Sequence, residues 1–237
     1  MKSYLLHAAW NNLIIANYAV PHEILLPYLP HKTELDSFRG ETLVSLVGLM
    51  FLNTKIKGFV VPYHINFEEV NLRFYVKHSE KGNTIRGVTF IKEIVPKLAI
   101  TLVAKHLYRE RYVTMKMKHF HSETEAGLET EYQWKYKEDW NRIGVLSEKK
   151  SVPLRIGSEE EFITENYWGF TKVNDTKTSV YEVEHPRWDI FPVTDYTIDC
   201  NFKALYGEEF AFLKDAKPSS VIVTKGSEVK IFSKRLL

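Results

Sequence analysis

Residues 67–76 place an acid, an amide and a base at alternate positions: Glu69, Asn71 and Arg73. In an extended strand, side chains two residues apart share a face and lie about 6.6 Å from one another, close enough to converge on one small ligand. A carboxyl group so placed can give or take a proton, and a guanidinium can hold a carboxylate. The row therefore has the parts of an acid/base site for an anionic or carbonyl-bearing molecule. Two plainer readings compete with it: a face that is simply wet, and a Glu69–Arg73 ion pair with no further role.

Other chemistry-bearing residues are more scattered. Arg111 and Tyr112 close the titratable stretch 105–112, and Arg111 lies four residues after Leu107 on the same helical stripe. A guanidinium buried there needs a carboxylate, from the protein or from a ligand; the bland reading has it capping a helix end. His119 and His121 share a strand face with Met115 and Met117 and have no third ligand nearby, so a structural or solvent-facing pair is expected rather than a metal site. Cys200 alternates with Ile198 and Phe202, the pattern of a buried, inert thiol. No nucleotide-binding glycine loop, zinc-protease helix or nucleophile elbow occurs. Neither a metal nor a cofactor is expected.

The elements that must position these residues are mostly strands. Alternation is clearest at 67–76, where Val70, Leu72, Phe74 and Val76 form the face opposite Glu69, Asn71 and Arg73. Strands are also expected at 13–20, 42–52, 85–93, 112–120, around Tyr132, Trp134 and Tyr136, at 167–173 and 179–184, at 196–202, and at 220–224 and 228–233. A short helix is expected after Pro21, ended by Pro27 and Pro30. A longer one is expected over 96–111, and a capped one from Ser158 to about Asn166. So many strands with so few helices give a mainly β (α+β) fold: a large curved antiparallel sheet with a few packed helices. No linker or repeat divides residues 1–237, so one domain is expected.

Bulk composition narrows the function classes. The 237 residues carry 32 basic and 30 acidic side chains, a net charge of +2 with no basic stripe, which excludes a nucleic-acid partner. No apolar run approaches the ~18 residues that span a bilayer, so no membrane partner is expected. The apolar start of the chain stops at His7 without a cleavage site. A single cysteine suits a reducing compartment, and a cytoplasmic location is the expectation. The sequence leaves room for a homo-oligomer.

The segment Phe67-Glu68-Glu69-Val70-Asn71-Leu72-Arg73-Phe74-Tyr75-Val76 resembles the pattern F-x-E-x-N-x-R-x-Y-V of the YqjF-like family of bacterial proteins. Trp10-Asn11-Asn12-Leu13 resembles that family's W-x-x-L, and 26–30 its L-x-x-x-x-P stretch. Leu35-Asp36 with Gly40 is similar to its L-D-x-x-x-G, and Gly87-Val88-Thr89-Phe90 to its G-V-x-F. Tyr167-Trp168 and His185-Pro186-Arg187-Trp188 resemble its R-Y and H-P-P-W segments. The likeness runs in order along nearly the whole chain.

The resemblance implies an acetoacetate decarboxylase-like fold, a cone of antiparallel strands around an internal cavity. In the decarboxylase a lysine forms a Schiff base with a β-keto acid, assisted by glutamates and an arginine. Carried over by position, Glu69 falls on one of those glutamates, Val47 takes the place of the second and Tyr112 the place of the lysine; the arginine has no counterpart within 10–13. Lys105, Lys116 and Lys118 are out of register, and without a lysine there is no imine. The expected function is thus a pocket protein for a small anionic or carbonyl-bearing ligand, with Glu69 as acid/base and Asn71, Arg73, Arg111 and Tyr112 around the ligand. The alternatives are a non-catalytic ligand-binding or assembly protein and, further off, a Schiff-base decarboxylase.

Overall fold

In the computed structural model, residues 4–98, 101 and 111–237 are described. The chain runs through β1 (Tyr4–Val20), β2 (Glu34–Leu35), β3 (Thr42–Ile56), β4 (Phe59–Val60), β5 (Phe67–Glu80), β6 (Asn83–Val95), β7 (Tyr112–Thr114), β8 (Lys116–Glu123), β9 (Leu128–Tyr136) and β10 (Asp139–Ser147). It continues through α1 (Glu159–Thr164), β11 (Trp168–Asn174), β12 (Lys177–Glu184), β13 (Val193–Asp199), α2 (Phe202–Tyr206), β14 (Ser220–Phe232) and β15 (Arg235–Leu236).

Seven of these strands close on themselves. The hydrogen-bonded order β5-β3-β1-β14-β12-β11-β6 returns to its start because β6 also pairs with β5. Every pairing in the ring is antiparallel except β6–β11, a parallel contact at Val88 and Gly169; β7 is likewise parallel to β6. The large sheet is therefore mixed, and its parallel contacts lie on one edge of β6. Closure there needs glycine: a Cβ on Gly169 would come within 2.2 Å of the Tyr181 ring, and one on Gly87 within 2.2 Å of the Trp168 carbonyl. Only a bare backbone lets the strands meet so tightly.

A second sheet, β13-β10-β9-β8, packs on the outside of the ring. The apolar face of β5 (Val70, Leu72, Phe74 and Val76) turns outward into this layer and meets Tyr132, Trp134 and Ile143, all buried. Each such side chain contributes about 1.5–3 kcal/mol on burial. The opposite face of β5 is left to line the interior of the ring. That interior is closed at one end by α1, whose Ile163 is buried and whose Phe162 ring lies 5.1 Å from that of Tyr75. Ser158 caps α1 by accepting from the Glu161 amide, as the capping pattern requires. A buried polar chain holds the helix in place: Tyr75 OH meets Ser45 Oγ at 2.6 Å, and Ser45 Oγ donates to Asn17 Oδ1 at 2.6 Å. Asn17 Nδ2 donates in turn to Ser220 Oγ at 2.8 Å, and Ser220 Oγ donates to Glu159 Oε1 at 2.6 Å.

Several local expectations are corrected. The strand expected over 112–120 breaks at Met115, because β7 pairs with β6 at the end of the large sheet and β8 belongs to the outer sheet, and the chain crosses between layers there. Cys200 is buried but not on a strand: β13 ends at Asp199, and Asn201 caps α2 by accepting from the Ala204 amide. The strands expected at 220–224 and 228–233 are one strand, continued through Gly226 at φ +79°. After Pro21 the chain makes two 3₁₀ turns, His22–Ile24 and Leu26–Tyr28, with Pro27 inside the second rather than ending the first. Of the helix expected over 96–111, Leu98 and Thr101 are helical, and 99–100 and 102–110 lie outside the described residues. Among the described residues, no helix is long and apolar enough to cross a membrane.

Candidate functional site

The ring encloses a cavity of about 160 Å³, to which all seven of its strands contribute lining residues. Glu69, Asn71 and Arg73 line it from β5, with Phe67 on the same face. Strand register places two more polar residues beside them: Asn71 is paired with Glu93 on β6, and Glu93 with Tyr112 on β7. Asn71, Glu93 and Tyr112 thus form a polar row across three neighbouring strands, and all three line the cavity. Thr164, Asn166 and His185 add polar groups from the α1 end of the chain's interior.

Glu69 is 4% exposed. Asn71 Nδ2 donates to its Oε1 at 2.9 Å, and Tyr112 OH donates to its Oε2 at 3.2 Å. Burial disfavours the ionised carboxylate and pushes its pKa up to about 7; the bonds from Asn71 and Tyr112 and the charge of Arg73 pull the other way without cancelling it. The carboxyl is therefore poised to hold or release a proton near neutrality, the condition a general acid/base needs.

Arg73 makes no hydrogen bond or ion pair among the described residues, and its buried Nε has no acceptor. Its guanidinium lies 5.9 Å from the Tyr75 ring. The Glu69–Arg73 pair weighed from the sequence is thus not formed at contact distance; Glu69 takes its hydrogen bonds from Asn71 and Tyr112 instead. Asn71 is 3% exposed and its Oδ1 has no donor among the described residues. A guanidinium with no hydrogen-bond or ion-pair partner among the described residues, in a wall that already holds a buried carboxyl, is an arrangement that asks for an anion.

Arg111 is placed elsewhere. It is exposed, absent from the cavity lining, and its guanidinium sits 5.1 Å over the ring of Tyr28. From the sequence it is expected on a buried stripe; it stands instead directly before β7, and Tyr112, not Arg111, lines the cavity. His119 and His121 are exposed on β8, with Nδ1 atoms 2.7 Å from Glu68 Oε1 and 2.9 Å from Thr130 Oγ1 respectively, and no metal-binding cluster occurs among the described residues. Lys116 and Lys118 are exposed, and Lys105 lies outside the described residues. Among the described residues no lysine lines the cavity.

The site also contains residues that sequence reasoning left without a role. Glu93 is 2% exposed, at the end of a stretch expected to be a strand, whose register against β5 was not legible. His185 is stacked between Trp188 (4.2 Å between centroids) and Tyr167 (4.7 Å), with Nδ1 2.9 Å from the Pro186 carbonyl; burial lowers its pKa, so the ring is held neutral. The signal for it was the segment His185-Pro186-Arg187-Trp188, whose Arg187 pairs with Glu161 at 2.6 Å and so fastens the segment to α1.

Comparison with known proteins places these features in a family. The model for DUF2071, an uncharacterized conserved protein, matches residues 7–228. The uncharacterized protein YqjF of Bacillus subtilis (strain 168) is 30% identical over 79 residues, an alignment spanning 33% of each chain. Among solved structures, acetoacetate decarboxylase from Legionella pneumophila superposes with a TM-score of 0.68 at 13% identity, covering 100% of this chain and 90% of that one. An acetoacetate decarboxylase-like enzyme from Sphingomonas wittichii RW1 gives 0.69 at 10% identity, over 98% and 93%. The enduracididine biosynthesis enzyme MppR complexed with pyruvate gives 0.67 at 10% identity, over 100% and 91%. At such identities the likeness is one of fold, and that fold is acetoacetate decarboxylase-like.

Proposed function

Since the chain belongs to the DUF2071 family and has an acetoacetate decarboxylase-like fold, we propose that its cavity binds a small anionic or carbonyl-bearing molecule, with Arg73 as the carboxylate anchor and Glu69 as the acid/base. One observation carries the reading: a guanidinium with no hydrogen-bond or ion-pair partner among the described residues lines the same cavity as a buried carboxyl whose pKa is pushed up to about 7. The occurrence of pyruvate in MppR supports the choice of a small keto acid as the ligand class.

The chemistry follows from the groups present. Arg73 offers parallel donors to a ligand carboxylate. Glu69 takes a proton from, or returns one to, an atom of the bound molecule, and Tyr112 OH and Asn71 Nδ2 steady the ionised form. An imine route is not part of the proposal: Tyr112 stands where the resemblance set the lysine, and a phenol cannot condense with a ketone.

The hydrogen bonds to Glu69 also favour a second reading, a non-catalytic network, since each carboxylate oxygen already has a donor. One titration separates binding from structure. Pyruvate and propionate added to isotope-labelled protein should shift resonances of cavity residues, and Arg73→Ala should abolish the shifts while the spectrum stays folded. Saturation that is unchanged in Arg73→Ala would refute the anchor.

A further inference from the structure

The polar row is only one end of the cavity. At the other, Ile56 on β3 pairs with Leu6 on β1, Leu6 with Ile231 on β14, and Ile231 with Val183 on β12. These four residues form an apolar row across four adjacent strands, and all four line the cavity. On β3 itself, Leu49 stands opposite Glu69 and Ile56 opens the apolar end, seven residues apart, or roughly 20 Å of strand. A cavity of about 160 Å³ drawn out over that length is narrow, a shape that suits a single flexible chain better than a ring system.

The apolar surface does not stop at the rim. Val61 and His64, from the loop between β4 and β5, line the cavity, and their neighbours Phe59 and Tyr63 are 77% and 89% exposed. An exposed apolar loop at the mouth of an apolar channel extends the same lining toward solvent.

Resting on the anion-binding reading above, we infer that the ligand is a linear carboxylate with an apolar tail: its head meets Arg73 and Glu69, and its chain runs past Ile231 and Leu6 toward the mouth. A short acid such as pyruvate would fill only the polar end and leave the remaining apolar wall without contacts. Each methylene added to the ligand leaves water for that wall, which raises affinity about fourfold per group.

The test is a series of straight-chain carboxylates from propionate to octanoate, titrated at a pH slightly below 7 into the wild type, Arg73→Ala and Ile231→Phe proteins. The expected result is a rise of about fourfold per methylene in the wild type. Ile231→Phe, which narrows the apolar end, should flatten the rise for the longer acids and leave propionate unchanged. Arg73-dependent binding that is flat or falls with chain length would overturn the tail and leave the anion site standing. A rise untouched by Ile231→Phe would show that the tail lies elsewhere and would overturn this path. Failure of every acid to bind, or binding indifferent to Arg73→Ala, would overturn the anion site and the tail with it.

Discussion

Replacing Glu69 by glutamine should change how the stability of the protein depends on pH. Burial raises the Glu69 pKa from 4.5 to about 7. Below pH 4.5 the carboxyl is neutral whether the chain is folded or not, and it imposes no penalty. Between 4.5 and about 7 the unfolded chain ionises while the folded one keeps its proton, so stability falls as pH rises. Above that range both forms are ionised and the loss is constant. The gap of about 2.5 pH units, at about 1.4 kcal/mol each, makes the full loss about 3 kcal/mol. Glutamine cannot ionise, and its amide can still accept from Tyr112 or donate to Asn71 Oδ1, which has no donor among the described residues. Urea denaturation of both proteins at several pH values isolates the effect, because every other titrating group is shared. Wild type should lose stability relative to Glu69→Gln by about 3 kcal/mol between about pH 4.5 and pH 8. A difference between the two proteins that is constant across that range would refute the raised pKa and the acid/base role built on it.

Arg73→Ala should weaken binding of small carboxylates about 10- to 100-fold, the worth of a charge-assisted contact, with little loss of stability since no ion pair among the described residues is broken; isothermal titration and urea curves report the two quantities. Borohydride reduction in the presence of acetoacetate or pyruvate should add no mass to the protein; a lysine peptide carrying the reduced adduct would show that an imine forms. Cys200, whose thiol burial pushes well above its ordinary pKa, should react with a thiol reagent only once the protein is unfolded, so rapid labelling of the native protein would contradict its burial. Gly169→Ala should destabilise by roughly 1–3 kcal/mol, because the new methyl group must displace the Tyr181 ring at the seam of the barrel; an unchanged urea midpoint would mean the seam is looser than described.

The alternation of residues along 67–76 was enough to separate the two faces of β5 and to nominate Glu69, Asn71 and Arg73, because side-chain direction in a strand is a local property with a period of two. Local chemistry likewise marked the Ser158 cap and the predominance of strands. What each face looks onto was not local. Val70, Leu72 and Phe74 face out of the ring into a second sheet, and the polar row faces in, which follows only from the closure of β6 on both β5 and β11. The same closure brings Glu93 and Tyr112 to Asn71 by register, and it leaves Arg111 outside although it directly precedes Tyr112 in the chain. His185 joins the site from a segment 116 residues after Glu69, carried there by Arg187 and α1. Contacts between strands distant in sequence depend on register and ring closure, which are set by the packing of the whole ring. The residues for the chemistry were therefore readable one strand at a time, and their meeting around a single cavity was decided by tertiary structure alone.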